Sequence, residues 1–266
     1  MYDRFNRKIN YLRISVTDRC NLRCKYCMPE EGIKLLPHEA ILSYREIFDV
    51  VEVAVKLGID KVRLTGGEPL VRKGIVDLVG MIASIKGIKD LSMTTNGILL
   101  EDFAVKLKHA GLQRVNISLD TMDPEAYKLL TRGGNIKRVF QGIRAAKTAG
   151  LHPIKINCVV WENSQEKDAQ EVARFAREND LRIRFIHQMN LSTGEFSIVE
   201  GGEGGNCRKC NRLRLTSDGK IKPCLFSDLA FDVREMGAEN AIRKAVGEKP
   251  KSGTYSKSSK FYNIGG

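Results

Sequence analysis

A chain of 266 residues, 42% hydrophobic and 29% charged, can bury a substantial core, and the lack of any apolar run near the roughly 18 residues of a membrane span excludes a spanning helix. Its net charge of +12 favours an anionic partner such as nucleic acid, a membrane surface or a phosphorylated small molecule, and basic residues scattered over helices and strand ends suit a basic pocket better than a nucleic-acid stripe. The charged and polar opening MYDRFNRKIN reads as no secretory signal, so the seven cysteines are expected to be thiols in a reducing, cytoplasmic compartment.

From residue 11 to about 187, short β-branched runs alternate with helical patterns. The expected strands are YLRISV at 11 to 16, KVRLT at 61 to 65, LSMTT at 91 to 95, RVNISL at 114 to 119, IKINCVV at 154 to 160 and IRFI at 183 to 186. Between them, Ser43-Tyr44-Arg45-Glu46 reads as a capping box opening a helix that runs through Leu57 to Gly58. Asp123-Pro124 is an N-cap followed by proline at the first helical position, and Asn163-Ser164 opens a helix running to about Glu178. Six strand–helix units predict an α/β fold with a parallel sheet, an incomplete (β/α)6 barrel open along one side, with chemistry at the carboxyl ends of its strands. After Asn190 the composition changes. The hairpin-like LRLTSDGKIKPCLF turns at Asp218-Gly219, a short helix is expected near 238 to 246, and KSGTYSKSSK offers nothing with which to build a core. The expected domains are 1–189, the partial barrel, and 190–266, a small C-terminal domain.

Six of the seven cysteines fall in two triads. CNLRCKYC places Cys20, Cys24 and Cys27 at C-x3-C-x2-C directly after the first strand, and CRKCNRLRLTSDGKIKPC places Cys207, Cys210 and Cys224 at C-x2-C-x13-C. A structural zinc normally takes four ligands, and none of His38, His109, His152 or His187 is near in sequence. An iron–sulfur cluster held by three cysteines leaves one iron open for other chemistry. Two such triads predict two [4Fe-4S] clusters, one able to cleave a cofactor and the other to hold a substrate. The alternative is zinc completed by a distant histidine. Cys158, inside INCVV, reads as a buried inert thiol.

The first triad, with Tyr26 before its last cysteine and RLTGGEPL at 63 to 70, resembles radical S-adenosylmethionine enzymes. The likeness narrows to the molybdenum cofactor biosynthesis protein A family, the GTP 3′,8-cyclases. It rests on YLRISVTDRCNLRCKYCMP, KVRLTGGEPLVR, TTNG, NISLDT, INCVVW, RFIHQM, CNRLRLTSDGKIKPCLF and the terminal IGG. The resemblance implies a radical-SAM barrel with a C-terminal auxiliary-cluster domain. It implies that Cys20, Cys24 and Cys27 hold the cluster that binds S-adenosylmethionine, with Tyr26, Gly66, Gly67, Glu68, Ser118 and Met189 at the cofactor. Cys207, Cys210 and Cys224 would hold the cluster whose open iron meets guanine. Arg13, Lys61, Arg63, Thr94, Lys155, Arg184, Arg212 and Arg214 would contact GTP, and Arg212, Arg214, Gly265 and Gly266 would serve catalysis. In this family a 5′-deoxyadenosyl radical takes the ribose C3′ hydrogen and the C3′ radical attacks guanine C8. Further implications are an electron donor such as flavodoxin or ferredoxin, a downstream cyclic pyranopterin monophosphate synthase, a homodimer and no membrane.

The residues themselves agree. Arg13, Arg63, Lys155 and Arg184 lie within expected strands, where a charge pointing into a barrel is costly unless paired, and a triphosphate would pair it. Arg212 and Arg214 alternate on a β-like segment and face one way. Ordinary roles suit other residues: His187 as a satisfied pocket-rim histidine, Trp161 as packing, and KHAGLQR at 108 to 114 as a solvated helix end. Two departures stand out. Only 17 residues separate Met189 from Cys207, dozens fewer than in these cyclases, and His187 replaces the family's glutamate after RFI. A compact cyclase, a paralogue acting on another nucleotide or a peptide, and a non-catalytic zinc or nucleic-acid-binding protein are the readings these features leave.

Overall fold

Every residue except Ser259, Lys260, Gly265 and Gly266 is described by the computed structural model. The first part runs β1 (Tyr11–Ser15), α1 (Tyr44–Lys56), β2 (Lys61–Thr65), α2 (Ile75–Ala83), β3 (Asp90–Thr95), α3 (Leu100–His109), β4 (Arg114–Ser118), α4 (Pro124–Thr131), α5 (Ile136–Thr148), β5 (Lys155–Val160), α6 (Lys167–Glu178) and β6 (Arg182–His187). The remainder supplies β7 (Arg212–Leu215), β8 (Lys220–Lys222), β9 (Phe231–Asp232), α7 (Val233–Met236), α8 (Ala238–Gly247) and α9 (Phe261–Ile264). Among the described residues no helix is long and apolar enough to cross a membrane.

Strands β1 to β6 lie side by side in chain order, all parallel, as helical crossovers require. β1 and β6 do not pair, so the curved sheet is an open barrel. The free edge of β1 is taken instead by β7, also parallel, with β8 and β9 following antiparallel in the same sheet. The polypeptide after Asn190 is therefore joined to the barrel through backbone hydrogen bonds, and its Leu213, Leu215 and Ile221 belong to the main core.

Alternation along the strands separates packing from chemistry. One set of positions (Leu12 and Ile14, Val62 and Leu64, Leu91 and Met93, Val115 and Ile117, Ile156 and Val160) is fully buried with apolar residues of the helices. Cys158 belongs to this set and is buried as expected. The intervening positions, including Arg13, Arg63, Lys155 and Arg184, face the barrel interior.

Local signals mostly act as read. Ser43 and Glu46 form a reciprocal capping box, and Asp123 caps α4 ahead of Pro124. α6 starts later than Asn163-Ser164 suggested. The Glu166 carboxylate accepts from the backbone N–H groups of Trp161, Glu162 and Asn163, holding that stretch as a turn, and helix begins at Lys167. Trp161 is 62% exposed rather than packed, because it stands beyond the end of β5 on that turn. The run KHAGLQR is not all solvated: Lys108 and His109 end α3, but Arg114 opens β4 and turns into the barrel. The described part of KSGTYSKSSK, residues 251–258, is likewise tied down, with Ser256 buried and its hydroxyl donating to Asp228 at 2.6 Å.

Candidate functional site

Two cavities share the barrel interior. A smaller one, about 180 Å³, opens at the carboxyl ends of the strands and is lined by Cys20, Cys24 and Cys27 together with the turns after β2 and β3. A larger one, about 510 Å³ and in the size range of ligand pockets, lies toward the amino ends and is capped by Cys207, Cys210 and Cys224. Asn157, Ile186 and Met189 line both, so the cavities meet there. The expectation that chemistry clusters at the carboxyl ends thus holds for the first triad alone. Parallel pairing of β7 with β1 brings the second triad to the opposite end, because Cys210 lies just ahead of β7.

The first triad sits on a loop fixed from several sides. The Cys20 sulfur accepts from the Leu22 N–H at 3.3 Å, and Arg132 donates to the carbonyls of Arg23 and Met28, each at 2.9 Å. The Tyr26 hydroxyl donates to Asp120 at 2.8 Å, and Asp120 also accepts from the Val159 N–H at 2.8 Å. Burial, countered by these two hydrogen bonds, pushes Asp120 up to about 6. Burial, followed by neighbouring acids and thiols, pushes Cys20 up to about 11, Cys24 up to about 12 and Cys27 higher still. Three thiols that oppose each other's ionisation suit a cationic group bound among them.

Gly66 and Gly67 line the same cavity, but their closest approach is to protein. A Cβ on Gly66 would meet the Thr17 carbonyl oxygen at 2.7 Å, and one on Gly67 would come within 2.7 Å of the Arg19 carbonyl carbon. The glycines let the turn after β2 clasp the cysteine loop, through Gly67 N–H to Thr17 and Glu68 N–H to Arg19, both 2.8 Å. Glu68 is buried outside the cavity lining. Its carboxylate accepts from Leu70 N–H, Thr95 Oγ1 and Asn96 N–H, and burial raises it to about 7. Tyr26, Ser118 and Met189, expected at the cofactor, line the smaller cavity, and Thr94, expected at the substrate, lines it too.

The larger cavity gathers Arg13, Lys61, Arg63, Lys155, Arg184, Arg212 and Arg214 as expected, with Arg114 in addition. Register explains the convergence: Arg13 stands between Arg63 and Arg214, and Tyr11 between Lys61 and Arg212. Among the described residues, the carboxylates lining this cavity are Asp90 and Glu203. Asp90 is engaged by Arg114 through two hydrogen bonds of 2.9 and 2.6 Å. The guanidinium groups of Arg63 and Arg212 lie 5.4 and 5.8 Å from the centre of the Tyr11 ring. Burial and then the charge of Arg214 hold Arg13 well below its ordinary value. Burial and then Arg212 bring Arg214 to about 10, and burial with Arg184 and Arg114 brings Lys155 to about 8. So many crowded cations fit a polyanion. Among the described residues, Tyr11 Oη, Arg114 Nη1, Arg212 Nε and Asn157 Oδ1 are buried with no hydrogen-bond partner.

Sequence reasoning missed Tyr11, Asp90, Arg114 and Asn157, although alternation could have marked each inward position: Tyr11 from Arg13, Asn157 from Lys155, Asp90 from Thr94 and Arg114 from Ser118. It also missed Gly253, where a Cβ would lie 3.3 Å from Cys224 Sγ, and Ser252, whose hydroxyl donates to Cys207 Sγ at 3.5 Å. His187 lines the cofactor-side cavity with Nε2 3.3 Å from Glu200, a satisfied rim position. Gly265 and Gly266 lie outside the described residues. The described chain ends at Ile264, buried with Leu191, Leu225 and Phe226, while Phe261 of the same turn lines the cofactor-side cavity.

Both triads fit an iron–sulfur group. Among the described residues no three His, Cys, Asp or Glu side chains gather closely enough for one metal ion. Each triad instead lines a cavity wall, as suits a cluster taking one thiolate on each of three irons.

Comparison with known proteins agrees with this geometry. Residues 14–176 match the radical SAM superfamily and residues 158–261 the Molybdenum Cofactor Synthesis C family. The chain is 43% identical to the GTP 3′,8-cyclase of Thermodesulfovibrio yellowstonii, covering 93% of this chain and 91% of that protein. It is 45% identical to that of Moorella thermoacetica (88% and 86%) and 39% identical to that of Petrotoga mobilis (98% and 97%). Among solved structures, Streptococcus suis SuiB bound to S-adenosylmethionine superposes with a TM-score of 0.66 at 18% identity, covering 88% of this chain and 65% of that one. Native anSMEcpe with bound AdoMet gives 0.64 at 17% identity, covering 91% and 81%. With its two cysteine triads at opposite ends of one open barrel, the chain belongs to the GTP 3′,8-cyclase family of the radical S-adenosylmethionine superfamily, enzymes built around iron–sulfur and S-adenosylmethionine chemistry.

Proposed function

We propose that this chain is a GTP 3′,8-cyclase that forms 3′,8-cyclo-7,8-dihydro-GTP from GTP in molybdenum cofactor biosynthesis. The observation that carries the reading is the cation-lined cavity joined end to end with the cofactor-side cavity at Asn157, Ile186 and Met189. Cys20, Cys24 and Cys27 would hold one [4Fe-4S] cluster, and Cys207, Cys210 and Cys224 a second. Bound S-adenosylmethionine supplies hydrogen-atom abstraction once the first cluster is reduced.

The protein's part is placement and exclusion of water. Tyr26, Ser118, Met189 and the backbone at Gly66 and Gly67 form the cofactor wall, while Glu68 orients the turn at Thr95 and Asn96. Lys61, Arg63, Lys155 and Arg184 take the triphosphate by charge-assisted hydrogen bonds, with Arg13 beside them. Arg212 and Arg214, two and four positions after Cys210, face the base at the second triad. Thr94, on the cofactor side, stands near the ribose rather than the phosphates. Gly265 and Gly266, next in sequence after the buried Ile264, are assigned a part in the reaction.

A peptide substrate would leave the crowded cations without a matching polyanion, so the nucleotide reading is favoured. The short 190–206 stretch still furnishes a wall: Gly201, Gly202, Gly204 and Gly205 line the large cavity, and Glu200 bridges to Phe185 at the barrel edge. This supports a compact cyclase. The assignment also carries a partial barrel over 1–189 with an auxiliary-cluster domain over 190–266, a flavodoxin- or ferredoxin-type donor, a downstream pterin-forming synthase, a homodimer and a cytoplasmic location. The test is incubation of reduced, reconstituted protein with S-adenosylmethionine and GTP. The reading expects 5′-deoxyadenosine and a cyclised nucleotide in step, and 5′-deoxyadenosine formation indifferent to GTP would refute it.

A further inference from the structure

Nothing in the sequence singles out Lys249, yet it is only 1% exposed and heads the bulkiest fully buried side chains. Its Nζ donates to the Arg212 carbonyl at 2.8 Å and to the Pro223 carbonyl. Arg212 follows Cys210 by two residues and Pro223 immediately precedes Cys224. One side chain thus ties together the two segments that carry two thiols of the second triad. The third is secured from the same stretch. Arg7, paired with Asp3 at 2.6 Å, donates to the carbonyls of Cys207 (2.8 Å), Pro250 (2.6 Å) and Lys251 (3.0 Å).

Hydrogen bonding alone does not explain a lysine here. A neutral amide could bridge two carbonyls, whereas a buried ammonium is costly unless an anion faces it. The Lys249 side chain also hydrogen-bonds that of Cys210, and its two carbonyl partners, Arg212 and Pro223, lie within two residues of Cys210 and Cys224. The counter-charge of this lysine is therefore the triad itself. Charge and hydrogen bonding near the ligand sulfurs set the potential of an iron–sulfur group.

We propose that Lys249 is a positioning residue for the second cysteine triad, holding the Cys210 and Cys224 segments at cluster spacing and favouring the more negative, reduced state of the cluster bound there. The inference rests on the assignment of a cluster to that triad, and the experiment separates the two. In a chain with Cys20, Cys24 and Cys27 changed to Ala, anaerobic reconstitution with iron and sulfide loads the second triad alone, at roughly four irons per chain. Added to this background, Lys249→Arg keeps the charge and should keep the midpoint potential. Lys249→Gln keeps a donor but not the charge. It should retain iron while the reduction equilibrium, followed by EPR during redox titration, shifts at least tenfold toward the oxidised form, ~59 mV for one electron. Lys249→Met loses both functions and should fall to less than half the iron. No iron in the triple-Ala background would mean the triad holds no cluster. Iron retained with the same potential and EPR signal in the Gln and Arg variants would overturn the role of Lys249 and leave the cluster assignment standing.

Discussion

Changing Lys155 to Met should stabilise the nucleotide-free protein and weaken nucleotide binding, two effects of opposite sign from one substitution. Lys155 is half-buried at the start of β5, and burial, Arg184 and Arg114 bring it from 10.5 to about 8. The shift corresponds to about 3 kcal/mol, which solvent screening at a half-buried site reduces to about 1–2 kcal/mol. Between pH 8 and 10.5 the unfolded chain binds more protons at this lysine than the folded one, so wild-type stability rises with pH across that window. The penalty is complete below pH 8 and gone above 10.5. A methionine side chain carries no such penalty, so urea unfolding without nucleotide should show the variant about 1–2 kcal/mol more stable at pH 7, the gap closing by pH 10.5. Binding runs the other way. Loss of a charge-assisted contact to phosphate costs about 1.5–3 kcal/mol, a rise in GTP Kd of about tenfold to a hundredfold at pH 7. That deficit should shrink as wild-type Lys155 deprotonates above pH 8. Calorimetric titration of GTP at pH 7 and pH 9 measures it. A Met variant that is less stable at pH 7, with the wild-type dependence on pH, would refute the crowded-cation account.

Other outcomes test the rest of the site. Arg212→Ala should raise the GTP Kd at least tenfold while iron content stays at about eight per chain; unchanged affinity would remove Arg212 from the substrate wall. Gly67→Ala puts a methyl against the Arg19 carbonyl, a clash worth about 1–3 kcal/mol, and should lower iron at the first triad with the second still loaded, as EPR of the reduced protein would resolve. Deleting Gly265 and Gly266 should leave thermal unfolding and iron content unchanged while abolishing cyclised product, and a fully active truncated chain would disprove the catalytic role of the tail.

Much of the site was legible because its signals are local. Cys20, Cys24 and Cys27 read as a ligand set within eight residues, and Ser43 with Glu46 as a helix start within four. Arg13, Arg63 and Lys155 betrayed the barrel interior by being charged inside strands. Gly253 and Lys249 gave no such sign, since a polar, glycine-containing tail looks like a solvated one until it is packed against Cys207 and Cys224.

The sequence by itself determined the six parallel strand–helix units, the inward charges of Arg13, Arg63, Lys155 and Arg184 and the two thiol triads, all of which follow from spacings of a few residues. Only the tertiary structure decided that β7 pairs with β1, which puts the second triad at the amino end of the barrel and Arg214 beside Arg13. It alone paired Arg114 with Asp90 and tied Lys249 to the Arg212 and Pro223 carbonyls beside the second triad. Such partners are separated by tens to hundreds of residues, and pairing across that distance is fixed by closure of one core rather than by any local pattern.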